Sequence, residues 1–125
     1  MVLLLLAALN VAAWVPARWV SDDPASLALL KETPINCLLV EQARWSGDFA
    51  ANAAAREVAV LGVIRPGTPP GATGKAKSLG LAGVVLEGDF DADTANRLRE
   101  EAEAQGLAVV ELAPRRKLDF ERKIA

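Results

Sequence analysis

The residues available for chemistry are few in kind. The chain holds no histidine, which removes Ser-His-Asp and Cys-His nucleophilic arrangements and every histidine-based metal site. Carboxylates, lysine and arginine remain as the acid–base and electrostatic groups. Two carboxylates stand out by position. Glu41 closes the apolar run Ile35-Asn36-Cys37-Leu38-Leu39-Val40, and Glu87 closes Gly80-Leu81-Ala82-Gly83-Val84-Val85-Leu86, with Asp89 two residues beyond. Both runs are too short for helices and too uniformly apolar for half-exposed strands, so they read as buried parallel strands. Carboxyl ends of such strands are where α/β folds gather their ligand chemistry. Ile35, Val58 and Leu81 align as strand starts, which puts Glu41 and Glu87 each six residues along and predicts that they point to the same side. Two strand spacings separate their backbones by about 9–10 Å. Burial and a like charge nearby are expected to raise the pKa of one of the two. Arg65 and Arg115, just past the second and fourth strands, would bind an anionic group or pair with these carboxylates. Glu111 ends the last strand but is off register by two positions. The competing reading is that strands of any α/β protein end in polar residues.

Other chemistry is argued against. Cys37 is the only cysteine, so an intramolecular disulfide is impossible, and its apolar neighbours predict a buried, inert thiol. The segment Pro69-Pro70-Gly71-Ala72-Thr73-Gly74-Lys75-Ala76 lies between a strand and a helix as a phosphate-binding loop would. Pro69 replaces its first glycine and Ala76 its metal-binding hydroxyl, so the motif fails. No cofactor and no metal are expected. The net charge of −2 gives no electrostatic reason to expect nucleic acid. Residues 114–125 carry five basic against two acidic side chains and read as a solvated tail.

The elements that would hold these residues follow from punctuation. Residues 1–17 form an apolar stretch ending Val15-Pro16-Ala17 and read as a secretory signal, too short to span a bilayer; the alternative is a first buried strand over residues 6–14. Asp22-Asp23-Pro24 is a helix start, since a carboxylate caps free N–H groups and proline needs no donor in the first turn. A helix is predicted over residues 25–32, a strand over 35–40, an alanine-rich helix over 48–57 and a strand over 58–64. Three prolines and three glycines make residues 65–74 a loop. A short helix over 75–79 leads to the central strand. Asp91 then caps a helix running to Gln105, where Gly106 stops it, and residues 107–112 make the last strand.

An internal repeat supports this parsing. Glu57-Val58-Ala59-Val60, Gly80-Leu81-Ala82-Gly83 and Gly106-Leu107-Ala108-Val109 superpose, at intervals of 80 − 57 = 23 and 106 − 80 = 26 residues. Four βα repeats imply a parallel sheet with right-handed crossovers. The 125 residues, 52% of them apolar, suit one globular domain over residues 18–125. Four units are half of a (β/α)₈ barrel of about 250 residues. The reading is a half or truncated barrel; the alternative is a flavodoxin-like open sheet with helices on both faces.

The segments Leu39-Val40-Glu41 and Gly80-Leu81-Ala82-Gly83-Val84-Val85-Leu86-Glu87-Gly88-Asp89 resemble strands of barrel glycoside hydrolases and their secreted bacterial relatives, over about residues 33–115. The resemblance implies acid–base or nucleophile roles for Glu41 and Glu87, which carboxyl separations of about 5–9.5 Å would allow. It also implies a sugar-stacking position for Trp45. The chain departs from that pattern in having no Asn-Glu pair and no tyrosine. Two functions stay open: a carbohydrate-active barrel fragment, inactive alone, and a non-catalytic α/β module that binds a small molecule or a partner. Open strand edges predict self-association or a missing second half. The signal reading implies a secreted or periplasmic protein, its alternative a cytoplasmic one.

Overall fold

The computed structural model describes residues 13–112. Five strands form one all-parallel sheet in the order β1-β2-β3-β4-β5: β1 Pro16–Trp19, β2 Cys37–Val40, β3 Ala59–Ile64, β4 Gly83–Glu87 and β5 Ala108–Leu112. A 3₁₀ helix, Pro24–Leu30, connects β1 to β2. The later connections carry α1 Gly47–Ala55, α2 Ala72–Ser78 and α3 Ala92–Ala104. The sheet is open, as in the second of the two sequence readings, and its order is sequential. Right-handed crossovers that always advance in one direction place their helices on one face. The two apolar clusters show the consequence. Leu27, Leu30, Phe49, Ala53, Ala76, Leu98 and Ala102 from the helices pack with Leu38, Val40, Val60, Val84 and Leu86 of alternate strand positions. On the other face Cys37, Leu61, Val63 and Val85 form a second cluster with Trp14, Leu39, Val110 and Leu112, to which no described helix contributes.

Local chemistry explains the element ends. Asp23 accepts from the Ala25 N–H and Pro24 opens the 3₁₀ helix, Ser46 caps α1 by accepting from Phe49, and Asp91 caps α3 by accepting from Thr94, each satisfying a donor that the first turn leaves free. The segment expected as a helix over residues 25–32 is 3₁₀ and shorter. α2 starts three residues before the expected position because Ala72 and Thr73 are buried and Thr73 accepts from Gln105 of the α3 end at 3.2 Å. Tertiary packing there outweighs the loop signal. The unanticipated element is β1. Residues 1–12 of the leader reading lie outside the described residues, whereas Pro16 and Ala17 belong to the sheet, paired with Cys37 and Leu38. The strand alternative over residues 6–14 likewise lies mostly outside them, and Ala13 and Trp14 precede the sheet. The basic tail, residues 114–125, is outside the described residues.

Candidate functional site

The four strand-end positions of β1 to β4 carry alternating charge. Arg18 lies in β1, Glu41 follows β2, Arg65 follows β3 and Glu87 ends β4. Each side chain is directed by the residue beside it, because neighbours in a strand face opposite ways. Trp19 turns to the helix side and donates its indole N–H to Ser26 of the 3₁₀ helix at 3.0 Å, so Arg18 faces the helix-free side. Val40 packs in the helix-side core, so Glu41 faces away from it. Ile64 and Leu86 do the same for Arg65 and Glu87. Two turns then fix the last positions. Arg65-Pro66-Gly67-Thr68 closes with the Thr68 N–H donating to the Arg65 carbonyl at 3.1 Å, and Gly67 adopts φ 89°. Proline then glycine in the middle of a turn is the type II pattern, which needs positive φ at its third residue. Gly88, at φ 126°, lets the chain after Glu87 run against Pro66, whose Cδ would lie 2.6 Å from any added Cβ.

The result is a closed quartet. Arg65 holds Glu41 through two hydrogen bonds, Nε to Oε1 at 3.1 Å and Nη2 to Oε2 at 2.7 Å, the bidentate geometry to which a guanidinium is pre-shaped. Arg18 donates to Glu87 Oε2 and approaches Glu41 Oε2 at 3.8 Å. Glu87 Oε1 has no solvent contact and no hydrogen bond, yet Arg65 Nη2 lies 3.0 Å away. The guanidinium charge beside it compensates this oxygen. The hydrogen bond from Arg18, then the charges of Arg18 and Arg65, hold the Glu87 carboxyl below its ordinary range, against the desolvation that pushes it upward. The upward shift expected of one of the two carboxylates is therefore not found at Glu87. A like charge raises a carboxyl pKa only when cations do not intervene, and two arginines do.

The Arg18–Glu87 contact also measures the shape of the sheet. Through the pairings Arg18 is level with Leu39, Leu61 and Gly83, so Glu87 lies 87 − 83 = 4 residues further on and three strands away. On a flat sheet that is about 14 Å across and about 13 Å along, at roughly 4.8 Å per strand and 3.3 Å per residue. The two side chains together cannot span that diagonal. The sheet must curl with its helix-free face inward.

The remaining candidates do not join this cluster. Trp45 lies on the helix side, its indole N–H donating to the Val40 carbonyl at 2.8 Å and its ring covering Gly62. The turn after β2 sends Trp45 to one face and Glu41 to the other, so the structure does not bring the sugar-stacking candidate to the carboxylates. Glu111 also faces the helices and pairs with Arg99 of α3 at 2.7 Å. Asp89 is exposed in the turn after β4. Arg115 lies outside the described residues. Sequence reasoning missed Arg18, which directly follows the residues read as a leader and pairs level with Leu39, an interval of 39 − 18 = 21 that the 23-residue repeat does not mark. Cys37 is buried and its thiol is pushed up to about 11 by desolvation, in line with an inert cysteine. A cavity of about 500 Å³ lies at the opposite end of the sheet, lined by Trp14, Asn36, Val58, Ala59 and Gly80 among others. It is far from the charged quartet. Among the described residues no acidic or cysteine cluster could hold a metal ion, and no helix is long and apolar enough to cross a membrane. Comparison with family models, with curated proteins and with solved structures finds no match.

Proposed function

We propose that this chain is a non-catalytic α/β binding module, built as a curled half of a barrel, whose strand-end quartet receives a small molecule or partner. The observation that carries this reading is the compensation of Glu87. A general acid must keep its proton near neutrality, whereas Glu87 faces two guanidinium groups that favour its ionised form. Glu41 is itself engaged by both oxygens. Charge-matched strand ends are suited to recognition. The half-barrel shape is supported by the sequential strand order, by helices on one face of the sheet among the described residues, and by the curl that the Arg18–Glu87 contact requires.

The carbohydrate-active reading stays second, favoured by one fact: Glu41 and Glu87 share a face and both reach Arg65. A panel of aryl glycosides incubated with the purified chain and with its Glu41→Gln and Glu87→Gln variants separates the two. The binding-module reading expects no turnover from any of the three. Turnover by the wild type that disappears in either variant overturns it.

A further inference from the structure

We propose that Arg18 and Arg65 form a binding site for the carboxylate group of a small molecule, and that Glu41 is its built-in, displaceable occupant. The proposal rests on the binding-module reading and names the chemistry of its ligand. Three observations carry it. The Glu41 carboxylate lies between two guanidinium groups, forked by Arg65 and approached by Arg18, the arrangement a free carboxylate would adopt on the same arginines. The quartet is also divided by exposure. Glu87 is only 17% exposed and forms a fixed floor, whereas Glu41, Arg18 and Arg65 are each about half exposed. An ion pair so open to water contributes little, and a ligand can replace it. Position is the third. The site lies at the carboxyl ends of parallel strands, and Glu41 is the first residue after β2, at the start of the Gln42–Arg44 turn, where a small backbone change can swing it aside. Removing Glu41 would leave two cations against one carboxylate, a net charge of +1 that an incoming carboxylate restores to zero.

The test is titration with sodium acetate against sodium chloride at matched ionic strength, followed by amide and arginine side-chain NMR shifts on the full chain. Wild type, Glu41→Ala and the double variant Glu41→Ala/Arg65→Gln are compared. Glu41→Ala is expected to bind acetate about two- to fivefold more tightly than wild type, the gain that release from one exposed competing ion pair allows. The double variant is expected to lose that binding. Should Glu41→Ala fail to fold, Glu41→Gln removes the same charge with less change in volume. Equal acetate affinity in wild type and Glu41→Ala, or binding that survives Arg65→Gln, overturns the proposal. A parallel titration with inorganic phosphate that shows the Arg65-dependent gain where acetate shows none overturns the assignment to carboxylates. Glycoside turnover would sink the binding-module reading itself. No turnover together with no acetate binding sinks only this inference.

Discussion

Replacing Gly62 by alanine tests the placement of Trp45 on the helix side of the sheet. A Cβ at Gly62 would fall on the Trp45 ring, 2.5 Å from Cε2, and 2.9 Å from Leu81 Cδ1. No rotamer of the methyl avoids both, because a Cβ has no freedom. The ring must move, and its hydrogen bond to the Val40 carbonyl at 2.8 Å goes with it. Overpacking a core costs about 1–3 kcal/mol and the lost hydrogen bond about 1 kcal/mol. Against this, alanine restricts the unfolded chain more than glycine does, a gain of about 0.4–1 kcal/mol. Steric strain wins, and the net loss is about 1–3 kcal/mol, or roughly 4–12 °C in Tm for a domain of this size. Thermal and urea melts followed by circular dichroism read it directly. Trp45→Leu in the Gly62→Ala background is the control: the double variant should lose less than the sum of the two singles, because the clash that each residue imposes on the other is gone. A neutral or stabilised Gly62→Ala protein, or strictly additive losses, would refute the packing and return Trp45 to the solvent.

Two further outcomes follow from the titrating groups. The Glu87 carboxyl is depressed in the folded chain, so its stabilisation is complete above its unfolded pKa of about 4.3 and is lost as pH falls through the lower folded value; urea midpoints of wild type and Glu87→Gln should therefore converge between pH 6 and pH 3, and a constant gap across that range would contradict the assignment. Cys37, buried and titrating near 11, should resist an aromatic disulfide reagent at pH 8 in the native protein and react in full in urea, whereas fast native labelling would mean that the helix-free face opens readily.

Much of the architecture is legible in the sequence because its causes are local. Asp23-Pro24 and Asp91 announce helix starts through cap chemistry. Gly106, at φ 77°, announces a stop, and uninterrupted apolar runs announce buried parallel strands at β3 and β4. The shared face of Glu41 and Glu87 is legible in parity but not in register: the 23-residue repeat sets them level, whereas Val40 is level with Gly62 and Val84, which puts Glu87 two residues further along. What tertiary structure decided is everything that depends on curl and on which face a turn selects. β1 holds four residues, one of them proline, and gains its identity only by pairing with β2. Arg18 reaches Glu87 only because the sheet bends, and that contact lowers the pKa of a carboxyl whose isolated strand-end position pointed the other way. Trp45 and Glu41 are four residues apart, and the short 3₁₀ turn between them packs one, half-buried, against the helix-side core and leaves the other on the charged rim. Charge pairing acts between strands distant in the chain, so no window of local sequence contains it.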